Sequence, residues 1–295
     1  MKKLSYILPM LLLMFVVSSC KEDPVVIPEP TAGFSVAIDG KVATFTNASA
    51  DADTYAWEFG DGESSSEANP VHTYAANGSY VAKLTATSAG GTDSKQEVLD
   101  IINITIDGDL SDWDDTEVAF TGGGTITNVK VENLDNNKLF LYVEGTADLT
   151  PLTQVYLNVD NDRSTGAQID WQYLMGGEDV LVEGNLSAGE EQYGALYPCE
   201  PCDGSNPGNW NWSATPSNEN IADFVVASEM ISIQGGLAYE MVIDLTALGK
   251  TISTEAIGIA VADMSLETWG PVGAAPVFWN ENDNPEGTLF VYTFK

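Results

Sequence analysis

The chain has 295 residues, enough for two domains of ~150 residues each. Its 11 Lys and Arg against 44 Asp and Glu give a net charge of −33, which repels phosphate backbones and excludes nucleic acid as a partner. One histidine and three cysteines exclude most zinc chemistry, while 44% hydrophobic residues and 27 glycines fit the short strands and turns of an all-β protein.

The chain opens Met1-Lys2-Lys3, continues as an apolar run from Leu4 to Val17 and reaches Val17-Ser18-Ser19-Cys20. A positive start, a short apolar stretch and small residues before a cleavage point form the pattern of a secretory signal peptide. The run is too short to span a bilayer, which takes ~20 residues. Val17-Ser18-Ser19-Cys20 resembles the bacterial lipobox, which implies a signal peptide of residues 1–19 and lipidation of Cys20. Lys21-Glu22-Asp23 resembles the surface-export signal of some outer-membrane lipoproteins; the plain alternative is a solvated tether. Pro24, Pro28 and Pro30 make residues 20–30 a stiff extended tether. The expected location is the outer membrane, lipid-anchored and at the cell surface.

Residues 31–103 read as short strands punctuated by Gly, Asn and Asp, as in Val42-Ala43-Thr44-Phe45 and from Tyr80 to Thr87. Three segments stand in order: Trp57-Glu58-Phe59-Gly60-Asp61-Gly62, then His72-Thr73-Tyr74, then Gly78-Ser79-Tyr80 with Leu84 downstream. Together they resemble a PKD domain, an immunoglobulin-like sandwich of bacterial surface proteins and secreted enzymes. The resemblance implies core roles for Trp57, Phe59, Tyr80 and Leu84 and a tight turn at Gly60-Asp61-Gly62. His72 falls in the family's structural segment, and no triad-like constellation surrounds it in sequence, so its expected role is structural. The implied role of the module is spacer or protein contact.

Residues 104–295 form the second module, with six of the seven tryptophans. Strand-like runs occur at Lys138–Val143, Gln154–Asp160, Asp179–Glu183, Tyr239–Leu245, Ala256–Ala262 and Thr288–Phe294, with a turn at Thr246–Gly249 and no convincing amphipathic helix. This is the pattern of one larger β-sandwich. The opening Asp107-Gly108-Asp109-Leu110-Ser111-Asp112-Trp113 resembles the start of a family 9 carbohydrate-binding module or its DOMON-related cousins. The segment Val155-Tyr156-Leu157-Asn158-Val159-Asp160-Asn161-Asp162-Arg163-Ser164-Thr165-Gly166, the strand Gly177 to Gly184 and Trp210-Asn211-Trp212 match further parts. Asn158 departs from the pattern, where aspartate is usual.

Three groups of residues carry candidate chemistry. Asn158, Asp160 and Asp162 crowd one bend whose oxygens suit calcium, a cation that takes six to eight of them; the alternative is an Asx-rich turn that caps backbone donors. Cys199 and Cys202 flank Glu200-Pro201, and an exported protein makes a structural disulfide the expected state. Trp171, Trp210, Trp212, Trp269 and Trp279 have polar neighbours and suit the apolar faces of sugar rings, while Trp113 reads as structural. No phosphate loop, nucleophile elbow or dinucleotide fingerprint is present.

The expected protein is therefore a non-catalytic surface lipoprotein that binds a polysaccharide or oligosaccharide through its C-terminal sandwich. Two alternatives stay open. One is an adhesive surface protein that contacts a protein partner; the other is a glycoside hydrolase, for which 44 acids supply chance pairs but no motif.

Overall fold

The computed structural model describes residues 27–166, 177–187, 189, 193–199, 221–268, 270–277 and 288–295. The fold is all-β, with two sandwiches in series. The first is built from β1 (Phe34–Asp39), β2 (Val42–Asn47), β3 (Thr54–Glu58), β4 (Ser64–Ser65), β5 (Val71–Thr73), β6 (Gly78–Ser88) and β7 (Gly91–Ile101). They form a three-stranded sheet, β1-β2-β5, facing a four-stranded one, β4-β3-β6-β7.

Alternation in sequence becomes alternation in burial. In β2 the side chains of Ala43 and Phe45 are buried while Val42 and Thr44 face out. The core gathers Phe34, Phe45, Trp57, Phe59, Leu84 and Ile101, with Tyr80 packed against it. Phe34 and Phe45 sit 5.2 and 5.0 Å from the Trp57 ring, whose Nε1 donates to the Glu67 carbonyl at 2.9 Å. Gly60 has φ +95°, and a Cβ there would stand 2.7 Å from the Val81 nitrogen, so the turn accepts no other residue without moving β6.

That turn also changes the surroundings of His72. No constellation around His72 stands out in the sequence, yet the fold places Asp61 Oδ2 2.6 Å from His72 Nε2 and Glu63 Oε2 3.8 Å from Nδ1. The imidazole is stacked on Phe59 at 4.1 Å and meets Tyr74 edge-on at 4.6 Å. Burial alone would raise the Asp61 pKa, but the Glu63 N–H and His72 together hold it below the usual carboxylate range. Burial pushes the Tyr74 phenol up to about 12, and its hydroxyl donates to the Phe59 carbonyl at 3.0 Å. The histidine ties one sheet to the turn of the other, which is a structural role.

The second sandwich begins with β8 (Val118–Thr121), β9 (Gly123–Gly124), β10 (Ile126–Leu134), β11 (Lys138–Gly145), β12 (Leu152–Asn158), β13 (Val180–Asn185) and β14 (Tyr193–Pro198). It continues with β15 (Val225–Ala227), β16 (Ile231–Ile233), β17 (Gly236–Asp244), β18 (Ala256–Met264), β19 (Pro271–Ala275) and β20 (Phe290–Thr293). One sheet has the order β15-β17-β11-β10-β8, with β16 also on β17; the other runs β14-β13-β12-β18-β19-β9, with β20 also on β18. All six strand-like runs read from the sequence are strands here. Of the strands not read from it, β8, β9 and β14 are short or lie at sheet edges, while the nine-residue β10 lies inside its sheet between β11 and β8.

The main core lies between the sheets and includes Leu139, Leu141, Val155, Leu157, Met241 and Ile259. Strands β12 and β18 are buried along their whole length, on both faces. A second cluster, with Leu152, Tyr156, Leu181, Ala260, Ala262 and Leu289, therefore occupies the outer face of the β12–β18 sheet. On the opposite side of the sandwich the opening segment packs Ile104 and Trp113 over Phe140, Tyr142 and Ala238. Its loop is fastened by Glu240, a fully buried residue that accepts the N–H groups of Asp107 (3.0 Å) and Gly108 (2.8 Å).

The two sandwiches meet end to end. Asn77 is buried at the joint: its Oδ1 accepts the Asn103 N–H at 3.3 Å and its Nδ2 reaches Glu132 on β10 at 3.4 Å. Glu132 also takes Lys295 Nζ at 2.6 Å. At the far end of the first sandwich, Pro28 packs against Gly90 in the β6–β7 turn.

Candidate ligand-binding end of the larger sandwich

Strand β12 ends at Asn158 and the chain bends through Val159-Asp160-Asn161, with Asn161 at φ +56°. The bend is held by side chains capping backbone donors. Asp160 Oδ1 accepts the Asp162 N–H (2.8 Å) and its Oδ2 accepts the Thr165 hydroxyl (2.9 Å). Asp162 Oδ1 accepts both the N–H (2.9 Å) and the hydroxyl (2.6 Å) of Ser164, and these bonds hold its pKa below the ordinary value. Gly166 and Gly177 lie in contact, and two residues later Asp179 turns its carboxylate back under the bend. There Asp179 Oδ2 accepts the Val159 N–H at 2.9 Å.

Asp179 is the residue that a reading of the motif overlooks. It stands in the quoted Gly177-to-Gly184 run, where strand pairing masks its role; its register beside β12 is the only signal for it. Burial, then the nearby Asp160 charge, push its pKa up to about 6.

Two clefts open here. The first, of about 390 Å³, is lined by Val159, Asp160, Thr165, Asp179, Cys199 and Lys250. The second, of about 320 Å³, is lined by Asn158, Asn161, Arg163, Gly258, Thr288 and Leu289. The three oxygen-bearing residues grouped by sequence spacing are thus divided. Asn158 is buried and faces the second cleft, Asp160 faces the first, and Asp162 is turned to Ser164. Among the described residues no three His, Cys, Asp or Glu side chains are grouped closely enough to hold a metal ion.

Cys199 is buried in the outer-face cluster, and its N–H donates to the Asp179 carbonyl at 2.8 Å. Cys20 and Cys202 lie outside the described residues, as do Trp171, Trp210, Trp212, Trp269 and Trp279. The described flanks of their segments do have positions. Residues 167–176 connect Gly166 to Gly177, residues 200–220 follow Cys199, and residues 278–287 lead into Thr288. Gly166, Cys199 and Thr288 all line one of the two clefts. The described neighbours of Trp269 in sequence, Thr268 and Gly270, lie between β18 and β19, at the opposite end of β18. Trp113 is fully buried, as expected of a structural tryptophan.

The family model for the PKD domain matches residues 25–102. Residues 25–102 are a PKD domain. Collagenase ColA of Bacillus cereus is 30% identical over 144 residues, which are 46% of this chain and 14% of that protein. The pre-pro-metalloprotease PrtV of Vibrio cholerae is 35% identical over 77 residues, 24% of this chain and 8% of PrtV. The chain thus spans a small part of the curated relatives it matches. Among solved structures, the PKD1 domain of PrtV covers 25% of this chain and 99% of its own length, with 32% identity and a TM-score of 0.25. A family 9 carbohydrate-binding module from Caldicellulosiruptor kristjanssonii, in complex with cellotriose, covers 65% of this chain and 89% of its own, with 16% identity and a TM-score of 0.37.

Proposed function

We propose that the protein is a lipid-anchored outer-membrane lipoprotein, exposed at the cell surface, that binds glycan through its larger sandwich and carries no catalytic step. The observation that carries this reading is the common placement of three loop flanks. The segments that contain Trp171, Trp210, Trp212 and Trp279 adjoin in sequence the described residues Gly166, Cys199 and Thr288, each of which lines one of the two polar clefts. The PKD domain serves as spacer. Its tether side is at the β6–β7 turn and its joint with the second sandwich is at the other end of the eleven-residue β7, ~35 Å away at strand rise.

Affinity electrophoresis of the mature chain in gels containing β-glucan, xylan or galactomannan tests the reading. Retardation is expected, and it should be lost or sharply reduced on Trp→Ala exchange at Trp171, Trp210, Trp212 or Trp279 with the melting temperature unchanged. No retardation in any gel would overturn it. The alternative of an adhesive protein has one specific observation in its favour: Val81 (47% exposed) and Val98 (64% exposed) are cross-strand partners on the outer face of the PKD sheet. Calcium stands as a separate structural proposal, with Asp160 and Asp179 as the carboxylates and backbone carbonyls completing the oxygen set.

A further inference from the structure

Strand β14 pairs with β13 at the edge of the seven-stranded sheet, with Asn185 opposite Tyr193, Glu183 opposite Ala195 and Leu181 opposite Tyr197. Leu181 belongs to the outer-face cluster and Tyr197 packs against it. By strand alternation Glu183, Asn185, Tyr193 and Ala195 share that face. The two tyrosines, four residues apart, stand ~13 Å apart along the strand, with the small Ala195 and a carboxylate between them. Tyr193 is 51% exposed; Glu183, Asn185, Ala195 and Tyr197 are half-buried.

The carboxylate in this strip is aimed from below. The Tyr156 hydroxyl donates to Gln154 Oε1 at 2.6 Å, and Gln154 Nε2 donates to Glu183 Oε2. Tyr156 and Gln154 are completely buried, among Leu152, Ala260 and Ala262, where apolar side chains would fill the space without a polar partner. Two buried polar groups thus orient one accessible carboxylate, the arrangement of a preorganised binding group. Beside it, Asn185 Oδ1 is buried with no hydrogen-bond partner among the described residues, an unfavourable state that rotation of the amide onto a ligand hydroxyl would relieve. Burial, then the Glu183 charge, raise the Tyr197 phenol, so its O–H remains in place as donor and acceptor.

We infer that this strip of Tyr193, Tyr197, Glu183 and Asn185 is a binding site for a neutral saccharide chain. The inference rests on the glycan reading above and adds to it the class of glycan and the face that holds it. Sugar rings present C–H faces to aromatic rings and hydroxyls to carboxylates and amides. An anionic chain would meet the Glu183 carboxylate on a protein of net charge −33, with no Lys, Arg or His in the strip. An apolar peptide would leave Glu183 and Asn185 facing no donor.

The test uses the mature chain in affinity gels of β-glucan, xylan and galactomannan, with polygalacturonate as the anionic comparison. The wild type should be retarded by a neutral polysaccharide and not by polygalacturonate. Tyr193→Ala and Glu183→Gln should each weaken that retardation about tenfold, the loss of one good contact. Tyr193 is exposed, so its exchange leaves the core intact, and an unchanged melting temperature verifies this. Retardation of the wild type with both variants unaffected would overturn the strip and leave the glycan reading standing. Preference for polygalacturonate would overturn the neutral class. Absence of retardation for the wild type in every gel would overturn the glycan reading and the strip with it.

Discussion

Trp113 Nε1 donates to Glu240 Oε2 at 2.8 Å, joining residues 127 positions apart in a contact from which water is excluded. With the Asp107 and Gly108 N–H groups on its other oxygen, the Glu240 carboxylate closes the opening loop of the second sandwich onto β17. Glu240→Gln turns an amide N–H₂ toward one of these donors and leaves it without an acceptor. The expected loss is about 1–3 kcal/mol of stability, with Trp113→Phe in the same range. Urea unfolding of the mature chain measures it; an unchanged midpoint in both variants would remove the fastening role.

Asp179 sets a pH dependence of opposite sign to that of a salt-bridged carboxylate. Burial raises its pKa in the folded chain from the ordinary carboxylate value to about 6, so the folded state favours the protonated form. Its contribution to stability is therefore full below the lower value and is lost as pH rises through the upper one. With chelator present, Asp179→Asn should raise the melting temperature by a few degrees at about pH 8 and leave it unchanged at about pH 4. Equal melting of the two proteins at both values would show that the charge is not disfavoured there.

Calcium, bound as proposed, reverses the penalty on that charge. A ligand selective for the folded state stabilises by about 2.7 kcal/mol at a hundredfold excess over its dissociation constant. Chelation should then lower the melting temperature of the mature chain, and Asp160→Asn should abolish the difference. Identical melts with calcium and with chelator, together with no metal in elemental analysis, would end the proposal.

The three cysteines divide into two tests. Cys20→Ala should release the protein from membrane fractions and block labelling by a palmitate analogue; retention without Cys20 would refute the lipid anchor. Peptide mass spectrometry without reductant should find the Cys199–Cys202 loop two hydrogens lighter than its reduced form. Thiols at both positions in exported protein would refute the disulfide.

The sequence alone was sufficient for whatever depends on local pattern. Period-two burial marks β2 and β6, and Trp57 through Gly62 with His72 to Tyr74 carry the PKD domain, because a tight turn and a small aromatic core need those residue types in that order. Trp113 was likewise legible as structural. Contacts between distant segments were not. The Asp61–His72 pair depends on how two sheets face each other, and Glu240 looks in sequence like one more acid on a strand. Spacing grouped Asn158 with Asp160 and Asp162, as on one face of a continuing strand, but β12 ends at Asn158 and the chain bends through Asn161, so Asn158 and Asp160 face different clefts and Asp179, just before β13, joins Asp160. The tyrosine strip of β14 carries no motif at all; only the register of β14 on β13 sets Tyr193 and Tyr197 around the Glu183 carboxylate. Pairing partners are chosen by the whole sheet, through burial of its faces, and tertiary structure alone decides them.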